Sequence, residues 1–212
     1  MYTARTRAMQ PDSAPVDRPR TSTKHVVQLF DSRETLVDGV ARFFAGALAG
    51  DAQMLAVMDH ERWNSVAMRL ASRGSPVDDA LRSGRLIVRS ATEMLSTFMV
   101  DGAPRRELFR ASVGRLIARL CESPGGCSLY GEMVDVLAAQ GQYAAACELE
   151  ELWSELGRQH TFTLRCGYIS GNFGDPRNDA DLRRICASHD RVHTAPADVL
   201  GSFLVRRMAK EG

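Results

Sequence analysis

Short apolar runs rich in β-branched residues alternate along this chain with segments whose apolar positions recur at helical spacing. That alternation restricts the fold more than any other feature. His25-Val26-Val27-Gln28-Leu29-Phe30 reads as a first strand. Leu36, Val37, Val40, Phe43, Phe44, Ala47 and Leu48 then mark one helix face, with Asp31 and Ser32 placed to cap it and Gly50 to close it. The alternation repeats. Gln53 to Met58 is a second strand, and Trp63, Val66, Ala67 and Leu70 mark a helix that Gly74 and Pro76 end. Leu86-Ile87-Val88 is a third strand. Leu108, Phe109, Val113, Leu116, Ile117 and Leu120 form the stripe of a long helix, broken by Pro124-Gly125-Gly126. Cys127 to Tyr130 predicts a very short fourth strand, and Phe162 to Tyr168 a fifth. Between them, helices are expected over Glu132–Ala139 and Tyr143–Leu156. Leu182, Ile185, Cys186 and His189 suggest a closing helix, and Ala197–Lys210 an amphipathic one with a basic end. Strands that alternate with helices imply βαβ units. The expected fold is therefore three-layer α/β/α with a mainly parallel sheet.

Residues 1–24 carry Pro11, Pro15 and Pro19 among small and charged residues, without an apolar stripe, and read as a disordered N-terminal tail. Residues 25–194 form one domain on this reading, and residues 195–212 a C-terminal helical tail. A formal charge of +1 gives no case for a nucleic-acid or membrane surface. The longest apolar runs, such as Met54–Met58, are far too short to span a bilayer, and the N-terminus lacks the apolar stretch of a secretory signal. The five cysteines are odd in number and include no CxxC pair, so reduced thiols in the cytoplasm are expected.

Ligands of an open parallel sheet bind outside the carboxyl ends of its strands. The polar residues at those ends are Asp31 with Glu34, Asp59 with His60, Thr92 with Glu93, Glu132, and Tyr168. Glu34, His60, Glu132 and Tyr168 are taken as the candidate ligand-binding set. For Glu132 the competing reading is a helix cap. A metal set of His25, His60 and Glu132 lacks any local spacing signature, so no metal or other cofactor is expected. The loop after the first strand is Asp31-Ser32-Arg33-Glu34-Thr35, with no glycine, no lysine and two carboxylates. That composition opposes phosphate binding. No GxSxG or HExxH occurs, Cys166 falls in a buried strand, and Trp153 shares a core stripe with Leu149, Leu152 and Leu156. Glu148, Glu151 and Glu155 fall on one solvated helix face. The chain is not expected to be an enzyme.

The run GEMVDVLAAQGQYAAACELEELWSEL (131–156), the run HTFTLRCGYISGNF (160–173), the His25–Phe30 strand and the segment Ile185-Cys186-Ala187-Ser188-His189 together resemble the MEDS family. This is the methanogen/methylotroph sensory domain of the dichloromethane-responsive regulator DcmR, and the likeness spans about His25 to His193. It implies a RecA/KaiC-like core without a P-loop. It also implies a sensory module in signal transduction or transcriptional control, with a one-carbon or halogenated compound as ligand and a histidine kinase, response regulator or transcription factor as partner. Two other readings stand beside it: a ligand-free interaction adaptor, and an acid–base enzyme using Glu132, His60 and Tyr168.

Overall fold

The computed structural model describes residues 24–194 and 198–209, so most of the expected N-terminal tail lies outside the described residues. The chain runs β1 (Lys24–Phe30), α1 (Arg33–Leu48), β2 (Gln53–Val57), α2 (His60–Ser72), α3 (Val77–Arg82), β3 (Leu86–Arg89) and α4 (Ala91–Ser96). A small hairpin of β4 (Met99–Val100) and β5 (Ala103–Pro104) leads to α5 (Arg106–Phe109), a π-helical turn (Arg110–Gly114) and α6 (Arg115–Leu120). Then follow β6 (Cys127–Gly131), α7 (Met133–Ala139), α8 (Tyr143–Gln159) and β7 (Thr163–Ile169). Two short 3-10 turns lead into α9 (Asp179–Ala187), β8 (Arg191–Thr194) and α10 (Val199–Ala209).

Six strands form one sheet in the order β3-β2-β6-β7-β1-β8, and every pairing in it is parallel. The three-layer α/β/α expectation holds. Side-chain alternation divides the interior into two cores. Phe30, Met54, Ala56, Leu86 and Tyr130 face α1, α2 and α3. Val27, Leu29, Leu55, Leu129, Leu164 and Cys166 face the helices from α4 to α9. Two glycines allow close approach in the first layer. A Cβ at Gly39 would press into the ring of Phe30, and one at Gly167 would collide with the Tyr130 hydroxyl.

The connections that follow β1 and β2 cross one face, and those that follow β3, β6 and β7 cross the other, as right-handed crossovers require when the chain reverses direction across the sheet. Adjacent strands β2 and β6 therefore send their chains to opposite faces, and so do β1 and β7. Crevices open at such points on the carboxyl edge.

Three features depart from the sequence reading. The long helix expected over 108–120 is interrupted by the π-helical turn, which seats Val113 and Gly114 against the core. The sheet has a sixth strand, β8, a short edge strand of half-buried and exposed residues with no apolar run to reveal it. α10 is packed on the domain: Leu204 is fully buried, Asp198 accepts a hydrogen bond from Ser170 Oγ at 2.8 Å, and Arg207 pairs with Asp179.

Candidate functional site

At the carboxyl edge, Asp59 ends the β2 connection and caps α2, its Oδ1 accepting from the backbone N–H groups of Glu61 (3.0 Å) and Arg62 (3.1 Å). This cap aims Arg62 across the β2/β6 crevice. Its Nη1 lies 3.3 Å from Glu132 Oε2 and 3.8 Å from Asp135 Oδ2. Glu132, 0% exposed, also accepts from Tyr130 Oη (3.2 Å) and from the Asp59 backbone N–H (3.4 Å). Burial pushes its carboxyl up to about 7, with Arg62 opposing. Burial likewise raises Asp135, which accepts from the Ile169 N–H (2.9 Å) and Asn172 Nδ2 (2.7 Å) and so ties the β6 and β7 ends together. Glu132 occupies the position before α7, yet its side chain makes no cap hydrogen bond. The helix-cap reading of this residue fails because the carboxylate is turned inward to Tyr130, Asp59 and Arg62.

Glu34 and His60 stand on the same edge but are exposed. Glu34 lies in the first turn of α1 and lines a cleft of about 560 Å³ between α1 and α2, with Arg33, Val37, Ser65, Met68 and Arg69. His60 is the first residue of α2. Among the described residues, no hydrogen bond or ion pair joins either of them to Glu132. The loop after β1 is closed on itself: Ser32 and Thr35 form a capping box, and Thr35 Oγ1 donates to Asp31 Oδ1 at 2.6 Å.

Tyr168 belongs to a different assembly. It is fully buried under α8, and its hydroxyl donates to Glu150 Oε1 at 2.7 Å. Glu150, 0% exposed, is the centre of a cluster drawn from four places in the chain. His25 Nε2 of β1 lies 3.1 Å from Glu150 Oε2 and 3.3 Å from Cys166 Sγ of β7. Cys166 Sγ lies 3.4 Å from Glu150 Oε2, and His189 Nε2, just past α9, lies 3.4 Å from Glu150 Oε1. The two imidazoles are in ring contact, with centroids 3.9 Å apart. A pair of backbone-level contacts holds them there: the His25 N–H donates to Asp190 Oδ2 (2.7 Å), and the Asp190 N–H donates to the His25 carbonyl (2.8 Å). Burial opposes ionisation of Glu150, but His189 and His25 outweigh it and hold the carboxyl well below the usual range. Burial drives the Cys166 thiol and the Tyr168 phenol well above theirs, and Glu150 adds to both. A cleft of about 360 Å³, lined by His25, Trp153, Ser154, Arg158, Ser188 and Asp190, reaches the His25 side of this cluster.

The methanogen/methylotroph, DcmR sensory domain family model matches residues 24–190. The chain belongs to the MEDS family. The match takes in both the rim network and all four members of the buried cluster, and it ends before α10. It places the chain among sensory domains, hence in signalling. No curated protein sequence matches it significantly. No helix among the described residues is long and apolar enough to cross a membrane.

The set His25, His60 and Glu132 is not assembled in this MEDS domain. His25 sits near the amino end of β1, whereas His60 and Glu132 follow the carboxyl ends of β2 and β6. Of the four candidate residues, Glu34, His60 and Glu132 share the carboxyl edge, and Tyr168 points into the opposite layer. Sequence reasoning missed Glu150. The signal was present: Glu150 lies on the stripe Ala146, Leu149, Trp153, Leu156, so a carboxylate stands among core positions of α8.

Proposed function

We propose that this MEDS domain is the input module of a signalling system: it binds a small molecule without transforming it and passes the result to a partner protein. Membership of a sensory family across nearly the whole fold carries this reading. The binding place we assign is the groove between α1 and α2, which starts near the carboxyl edge at Arg33 and Glu34 and runs along the helix pair to Ser72, combining the apolar Val37 and Met68 with the polar Glu34, Arg33 and Arg69. The neighbouring Arg62–Glu132–Asp135 network fixes α2 against the β6 and β7 ends, so a ligand that shifts α2 acts on the strand termini directly. A one-carbon or halogenated compound is the ligand class the family name supports. A histidine kinase, response regulator or transcription factor is the partner class, and the cytoplasm the compartment.

Several features support a non-catalytic role. Glu132 has all its partners inside the protein, and the acid–base trio of Glu132, His60 and Tyr168 is divided between two layers. The ligand-free adaptor is the second reading. It draws on α10, whose Val199, Leu200 and Phe203 are exposed. Thermal unfolding with dichloromethane and methanol as probes tests the first reading. We expect a saturable rise in the melting temperature with the probe recovered unchanged, and loss of that rise in Arg69→Ala. Product formation would mark an enzyme. No shift with any probe, alongside stoichiometric partner binding, would favour the adaptor.

A further inference from the structure

The buried cluster asks for a cation. His189 Nδ1 lies 2.7 Å from the Ile185 carbonyl oxygen, which can only accept, so Nδ1 carries a proton. In the neutral ring Nε2 then has a lone pair. That atom is buried, has no hydrogen-bond partner, and points at the Glu150 carboxylate 3.4 Å away. A lone pair facing a carboxylate is repulsive, so a positive charge belongs between them, supplied either by a second proton on the ring or by a metal ion. His25 is arranged in the same way. Its Nδ1 lies 3.4 Å from Ser154 Oγ, which itself donates to the Ser188 carbonyl at 3.2 Å, so Ser154 accepts from Nδ1–H and Nε2 is turned inward. Both rings thus have the outer nitrogen tied to oxygen and the inner nitrogen turned toward the Glu150 carboxylate, with His25 Nε2 also 3.3 Å from Cys166 Sγ, the arrangement by which proteins orient metal-binding histidines.

We propose that His25 Nε2, His189 Nε2, Cys166 Sγ and a Glu150 carboxylate oxygen form a site for one divalent transition-metal ion of the zinc class. The four donor groups lie within 4.8 Å of one another. Zinc bonds of about 2.0–2.3 Å place neighbouring donors of a tetrahedral ion about 3.3–3.7 Å apart. Here His25 Nε2 lies 3.1 Å and Cys166 Sγ 3.4 Å from Glu150 Oε2, the two lie 3.3 Å apart, and His189 Nε2 lies 3.4 Å from Glu150 Oε1; the remaining pairs fall within 4.8 Å, so the ion would draw His189 inward. Two imidazoles and a thiolate select against magnesium and calcium, which take oxygen donors. One carboxylate and one thiolate neutralise a divalent charge, which removes the electrostatic obstacle to burying the set. The donors come from β1, α8, β7 and the end of α9, so the ion would join two neighbouring strands to the helical layer above them. The 360 Å³ cleft at His25 supplies the way in. This site is distinct from the α1/α2 cleft and does not depend on what binds there.

Cobalt(II) titration of the full-length chain, stripped of metal and kept reduced, tests the proposal. We expect one equivalent to bind, with visible bands of tetrahedral intensity and a thiolate-to-cobalt band in the near ultraviolet, and zinc to displace it. Cys166→Ser should abolish the thiolate band with the fold retained. Ser154→Ala, which only loosens the orientation of His25, should weaken binding by about 10–100-fold. A folded wild-type chain that binds no stoichiometric cobalt or zinc would overturn the proposal and leave an imidazolium–carboxylate pair. So would a thiolate band that survives Cys166→Ser, which would place the ion on another cysteine.

Discussion

Glu132 shows what burial does to a single group. Its carboxyl titrates at about 7 in the folded protein, above its ordinary value of 4.5, because burial penalises the charge more than Arg62 compensates. The folded state therefore holds the proton over a range where the unfolded chain has lost it. Stability from this residue is greatest below about pH 4.5, falls as pH rises through about 7, and is then level, a change on the order of 3 kcal/mol. Glu132→Gln should flatten denaturant-derived stability across that window. An unchanged slope in the variant would show that another group sets it. Trp153 is a packing residue by the same kind of evidence. It is buried and meets Phe109 and Phe162 edge-on, with ring centroids 5.4 and 6.4 Å away. Trp153→Ala should cost roughly 3–5 kcal/mol. A loss below about 1 kcal/mol in urea unfolding would contradict that placement.

Elements were legible where a period was complete. β1, β2 and α8 show clean apolar patterns, and the structure has them within a residue or three of the expected bounds. β8 was not legible, because it joins the sheet through its backbone ladder with β1, and of its four side chains only Val192 packs on the core. The rim was legible for a topological reason: parallel strands deliver their ends to one edge, and Glu132, His60 and Glu34 are there. The buried cluster was not, although His25, Cys166 and His189 each lay in a recognised element. Spacing along a chain cannot show that β1 and the end of α9 meet, and Glu150 escaped notice among the solvated Glu148 and Glu151 of the same helix. At this scale the β1–α1 loop makes its own prediction. Asp31, Ser32 and Thr35 bond to one another and to the first turn of α1, and no glycine opens the backbone toward a phosphate. Calorimetry with ATP should show no binding in the micromolar range. A micromolar dissociation constant would contradict the reading of this loop.

Across the whole molecule, the sheet separates two kinds of site. The layer of α1, α2 and α3 presents an open cleft between α1 and α2, suited to a ligand that comes and goes. The layer from α4 to α9 encloses a polar cluster that spans β1, β7 and α8, suited to a component that stays. A sensory domain needs both a stable frame and an edge that responds to ligand, and α2 is tied to the strand ends by Arg62 as well as packed on the core by Trp63, Val66 and Leu70, so a ligand in its groove is coupled to both. Hydrogen exchange of the full chain, with and without saturating dichloromethane and with the compound assayed afterwards, tests this most directly. Saturable protection of α1 and α2 and complete recovery of the compound are expected. Unchanged exchange in both helices, or conversion of the compound to product, would contradict it.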